Sequence, residues 1–140
     1  MQYVKEARIL KELLEIGRSN WPDRVKRYMT QSRQCYEVGA FDASIVMSSR
    51  AVEFAIKNLL GENQQAFDEK DTMGSLVDRI RSMIGKKKPT EQERIYEKLG
   101  DVVRLHRNIT AHDNPMAATR EDADLIWASA VYAVKKILES

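Results

Sequence analysis

Residues 42–60 place Ala43, Val46, Met47, Ala51, Phe54, Ala55, Ile56 and Leu59 around most of a helical circumference. A helix apolar on so many sides has little face left for solvent, so this segment is expected at the centre of a bundle. The remainder of the chain agrees. Among 140 residues there are six glycines and three prolines, strand-like alternation is absent, and apolar residues recur at helical spacing almost throughout. The expected fold class is all-α: a compact bundle of five or six helices forming one domain over residues 1–140.

The punctuation can be read in order. A first helix is expected over 2–16, with Gly17 as its stop. Ser19-Asn20-Trp21-Pro22-Asp23 reads as the start of a second helix, which reaches Val38 and stops at Gly39. After the central helix, Gly61 opens a polar connection through Asn63, Gln64, Gln65, Asp68 and Asp71. A shorter helix then shows Met73, Leu76, Val77, Ile80 and Met83 on one face, followed by a loop carrying Lys86, Lys87 and Lys88. A long helix over 90–112 should end at Asn114-Pro115, because a residue before proline avoids the helical region. Thr119 and Asp122 have the spacing of a capping box, opening a last helix that buries Ala123, Ile126, Trp127, Ala130, Val134, Ile137 and Leu138.

Composition narrows the function classes. One cysteine, Cys35, permits no intrachain disulfide and no zinc cluster, which fits a reducing cytoplasm. No carboxylate or His/Cys group has metal-ligand spacing, so neither a metal nor a cofactor is expected. The chain lacks an apolar run of the roughly 18 residues a membrane span needs, and its start is amphipathic with interleaved acids, unlike a secretory signal. A net charge of +2 does not announce a nucleic-acid binder, so any such role must rest on local clustering.

That clustering occurs in Arg107-Asn108-Ile109-Thr110-Ala111-His112-Asp113-Asn114. It joins the three side-chain types that a metal-free phosphodiester cleavage needs: a fixed cation, an amide and an imidazole. The chain has only two histidines, His106 and His112, and these alone have ordinary pKa values near neutrality. On a helical wheel, Ile95, Leu99, Val102, His106 and Ile109 share a core-facing stripe about 60° wide, whereas Arg104, Arg107, Asn108 and His112 lie on the other side. His106 is therefore expected as a core-edge, supporting histidine, and His112 as the functional one. Arg107 and His112 stand about 140° apart around a straight helix, so one helix cannot close them on a single phosphate. Two copies related by a two-fold axis would, which points to a homodimer with a shared cleft. Arg50 and Glu53, three apart on the central helix, are expected as a buried structural ion pair. Arg104, Lys86, Lys87 and Lys88 are candidates for following a nucleic-acid backbone, though a solvated loop is the simpler reading of the lysines.

These residues resemble the HEPN domains, all-α bundles that carry an R-x(4 to 6)-H motif late on the penultimate long helix. Arg107 and His112 fit with four residues between them, and Asn108 fits the polar residue that follows the arginine. Ser49-Arg50-Ala51-Val52-Glu53 is similar to a small-R-x-x-E pattern on the preceding helix in one bacterial branch, as is the HRNITAHD stretch. The resemblance covers about residues 20–140. It implies a metal-independent endoribonuclease acting on RNA as a homodimer, in a toxin or antiviral defence setting with an antitoxin or another protein partner. It equally accommodates a non-catalytic relative that binds a protein, RNA or nucleotide. Where some HEPN toxins place a tyrosine two residues after the motif histidine, this chain has Asn114, so control by tyrosine nucleotidylation is not carried over. In the catalytic form His112 would be general base or acid, its place at a helix C-terminus favouring the imidazolium. Arg107 would clamp the phosphate, and Asn108 would orient the histidine or a phosphate oxygen.

Overall fold

A computed structural model describes residues 2–62, 72–84, 89–110 and 118–139. The polar connection from Asn63 to Asp71, the lysines Lys86, Lys87 and Lys88, and the motif residues His112 and Asn114 lie outside them. The described residues form six α-helices: α1 (Gln2–Arg18), α2 (Asp23–Glu37), α3 (Phe41–Glu62), α4 (Met73–Ile84), α5 (Pro89–Thr110) and α6 (Arg120–Leu138).

As the sequence predicts, α3 lies at the centre, with Ile45, Ala51, Val52, Ala55, Ile56, Leu59 and Leu60 all buried. It packs most extensively on α2 and α6, and only sparingly on α4 and α5. The α2–α3 contact is unusual in being lined with hydroxyls. Ser32 on α2 donates to the Ser44 carbonyl at 2.8 Å, and its Oγ lies 2.7 Å from the Ser48 Oγ. All three serines are buried. Small side chains let the helix backbones approach closely, and each buried hydroxyl finds a partner within the cluster, which removes its desolvation penalty.

Phe54 departs from expectation. It is half-buried at the α2–α3 edge rather than enclosed, stacked on Tyr28 with ring centroids 5.4 Å apart and covered by the Arg24 guanidinium at 4.5 Å. A ring that makes its best contacts with amphipathic neighbours can stay at the rim without a large solvation cost.

Helix ends follow local chemistry, with three adjustments. Gly39 has φ +79 and ends the α2 turn, as a left-handed position favours. The Thr119–Asp122 capping box is complete, with both reciprocal hydrogen bonds formed. Ser19, by contrast, serves the helix before it: its Oγ donates to the Ile16 carbonyl at 2.6 Å, and α2 starts at Asp23 behind Pro22 without a side-chain cap. Gly17 and Gly61 do not stop their helices, which run on to Arg18 and Glu62. A glycine in a last turn weakens a helix by about 1 kcal/mol and need not break it. Finally, α6 is tied to the others by polar contacts: Trp127 Nε1 donates to Glu12 Oε2 at 3.3 Å on α1, and Lys136 pairs with Glu91 at 3.0 Å on α5.

Candidate functional site

The α5 face that meets α4 is built from a stripe of Tyr96, Gly100, Val103 and Arg107, spaced so that each lies about one turn from the next. Because α4 is short and packs lightly here, the interior opens into two cavities. The first, about 660 Å³, runs between α3, α5 and the start of α4. Its polar lining is Ser49, Arg50 and Glu53 from α3, with His106 and Arg107 from α5. The second, about 580 Å³, is lined by Asp78, Tyr96, Arg104, Arg107 and Asn108, with Gly100 leaving its floor open. Arg107 lines both, so its exposed guanidinium stands at the junction.

The motif residues within the described part therefore take the side of α5 that the wheel assigns them. Arg104, Arg107 and Asn108 are exposed. Arg104 is partly held by Asp101 on its own helix, at 3.6 Å. His112, and with it the 140° argument for a composite site, falls outside the described residues, as do Lys86, Lys87 and Lys88.

Of the supporting residues, His106 keeps its expected place at the core edge, while the stripe beside it and the Arg50–Glu53 pair change. The core stripe of α5 is Ile95, Leu99, Val102 and Leu105, whereas His106 and Ile109 are only half-buried at its margin. His106 thus lines the first cavity in company with Arg107. Burial holds its imidazole below the ordinary value of 6.5, the Glu53 carboxylate opposes that, and the Arg50 guanidinium adds to it. Nor do Arg50 and Glu53 form a buried pair. Glu53 binds Lys57, one turn further on, at 3.1 Å, and Arg50 is exposed, reaching toward the Tyr28 ring at 6.0 Å. A Glu four residues before a Lys is the favoured orientation on a helix, and it competes with the shorter-spaced arginine.

Arg50 and Arg107 thus bring two guanidiniums to one cavity, with an imidazole held toward its neutral form between a carboxylate and a cation. An anionic group entering here meets fixed positive charge and bidentate donors; a flat apolar group meets Val46, Met73 and Val103. Sequence reasoning missed the wall supplied by Thr72, Met73 and Gly74 at the start of α4. The Tyr96–Gly100–Val103–Arg107 stripe could have revealed it, since a glycine and a tyrosine facing the same neighbour signal a loosely filled contact. Among the described residues no group of three His, Cys, Asp or Glu side chains converges as a metal site would require. No described helix is long and apolar enough to cross a membrane.

Comparison with known families gives one result that bears on this geometry. The model of the HEPN domain matches residues 19–139, which takes in every element from α2 to α6. No curated protein and no solved structure gave a match.

Proposed function

The chain belongs to the HEPN domain family, and on that premise we propose that it is a metal-independent endoribonuclease acting on single-stranded RNA as a two-fold homodimer. The observation that carries this reading is the position of Arg107, exposed at the junction of two cavities and first in the order Arg107, Asn108, His112. Arg107 holds the scissile phosphate through paired N–H donors and stabilises the charge that builds on the pentacoordinate phosphorus. The ribose 2′-hydroxyl attacks phosphorus and the bond to the 5′ oxygen breaks, leaving a 2′,3′-cyclic phosphate and a 5′-hydroxyl. His112 takes the 2′-hydroxyl proton, and the matching histidine of the partner copy protonates the departing 5′ oxygen. Asn108 orients the histidine or a phosphate oxygen.

Arg50 and His106 receive the neighbouring nucleotide in the larger cavity. Arg104, Lys86, Lys87 and Lys88 follow the backbone beyond. Control by a protein partner, an antitoxin or another defence component, belongs to the same reading.

The test is cleavage of end-labelled RNA in EDTA by the wild type and by His112→Ala, with the product ends mapped. Wild type should give cyclic phosphate ends, and His112→Ala none. Equal cleavage by the two would remove His112 from the chemistry. Tight RNA binding without cleavage by the wild type would make the domain a binding module instead.

A further inference from the structure

A third cavity, of about 390 Å³, opens between α1, α2 and the start of α6, and shares no helix with the cavity where Arg50 and His106 lie. Its most telling wall residue is Arg33, which is only 7% exposed. A guanidinium that deeply buried normally has a carboxylate partner, because leaving a charge unpaired in the interior is costly. Arg33 has no ion pair or hydrogen bond among the described residues. Its contacts are with aromatic faces, Tyr36 at 3.7 Å and Trp127 at 5.6 Å from the ring centroids. These faces give partial compensation and occupy none of its in-plane N–H donors.

Beside it, the Tyr36 hydroxyl is buried and has no hydrogen-bond partner among the described residues. Arg120, in the first turn of α6, lies 5.7 Å from the same Tyr36 ring, so two guanidiniums share one aromatic. Two cations line one cavity beside an enclosed phenol, whereas the buried serine hydroxyls of the fold find partners in one another, in a carbonyl or in a carboxylate. Such an arrangement has an unfilled demand for acceptors.

The remaining walls define the rest of the ligand. Ile9, Leu10 and Leu13 of α1 present an apolar side, and Glu6 and Glu37 add negative charge. The carboxylates disfavour a polyanion such as a nucleic-acid strand or a triphosphate, while the apolar side offers contact to a compact hydrocarbon or aryl body. A terminal phosphate supplies three oxygens, enough to meet the paired N–H donors of two guanidiniums at once; a carboxylate's two oxygens are used up by one. We propose that this cavity binds one small phosphate monoester carrying an apolar or aryl body.

The test is calorimetric titration of the full chain with phenyl phosphate, inorganic phosphate and benzoate, alongside the thermal unfolding midpoint. Phenyl phosphate should bind once per chain, at least tenfold tighter than benzoate and more tightly than inorganic phosphate, and should raise the midpoint saturably. Arg120→Ala, an exposed position, should weaken binding at least tenfold and leave the ligand-free midpoint unchanged. Arg33→Met should abolish binding and raise the ligand-free midpoint, since it removes an uncompensated cation; a merely structural arginine would give a lower one. Arg107→Ala should bind as wild type does, which separates this cavity from the proposed RNA site. The proposal is overturned if the wild type binds neither phosphate compound, if benzoate binds as well as phenyl phosphate, or if Arg107→Ala and not Arg120→Ala removes binding. Should Arg33→Met fail to fold, Arg120→Ala decides the matter, being required to weaken binding.

Discussion

The α2–α3–α6 half of the molecule and the α4–α5 face are built on opposite terms. In the first, small residues such as Ser32, Ser48, Ala51, Ala55, Ala130 and Ala133 are buried, and the hydroxyls among them are satisfied by one another or by carbonyls. In the second, the central helix meets its neighbours sparingly, and charged side chains line two cavities. The difference teaches where a helical domain can hold reactive groups. Stability is concentrated where helices touch along their length, which leaves another face free to be under-filled and polar. Local opening is then expected on the α4–α5 side, where few apolar contacts oppose it.

Substitutions can break this contrast. The largest effect expected is on stability in the tight half: Ile56→Ala, at a fully buried position of α3, should cost about 4 kcal/mol in denaturant unfolding. A loss below about 1 kcal/mol would mean that the centre is not packed as described. Next comes Arg107→Ala, which should lower RNA cleavage by about a hundredfold or more, equivalent to roughly 2.7 kcal/mol of transition-state stabilisation. Its unfolding midpoint should stay at the wild-type value, and Arg107→Lys should recover little, because lysine cannot make the paired contact. A coincident loss of stability would show that the two halves are not separable.

Removing one hydroxyl from the tight half sharpens the comparison at smaller scale. Ser48→Ala deletes the 2.7 Å contact to Ser32 and should cost about 1 kcal/mol, while cleavage by the folded protein is unchanged. The smallest effect concerns protons. Because burial lowers the His106 pKa in the folded state, the unfolded chain binds the proton more readily. Stability contributed by the neutral imidazole should therefore fall as pH drops through the unfolded value of 6.5, and the loss is complete below the folded value. Unfolding curves of wild type and His106→Gln between pH 8 and pH 5 check this (about three pH units around the ordinary histidine range). The wild type should lose more stability on acidification, and a steeper loss in the variant would contradict the assignment.

Much of the fold was legible because helical periodicity reports direction. Ile95, Leu99 and Val102 on α5, and Ala123, Ile126 and Ala130 on α6, are buried where their spacing puts them. Depth was not legible. A wheel places His106 within the same stripe as Leu99, yet the stripe opens into a cavity at its level because α4 gives it little cover. Phe54 likewise points inward by register and stays at the rim because Tyr28 and Arg24 meet it there. Competition between partners was equally hidden: Glu53 has Arg50 behind it and Lys57 ahead, and only the structure shows that Lys57 holds it. Of the site, Arg107 and Asn108 were readable from motif order, whereas the α4 wall requires knowing which helix packs where. Arg33 gave a faint signal, lying four residues after Met29 and three before Tyr36, in the middle of the buried face of α2.

The serine cluster between α2 and α3 also bears on the order in which the chain assembles. These two helices are neighbours in sequence, joined only by Val38, Gly39 and Ala40, so bringing them together costs little loop entropy. A contact made of hydroxyls at fixed positions favours the register in which Ser32 meets both Ser44 and Ser48; sliding α3 by a turn would leave it only one of the two. The hairpin can therefore find its alignment early, giving α6 a finished surface on which to dock from far along the chain. The polar face on α5 is then free to form last, on a scaffold whose alignment no longer depends on it.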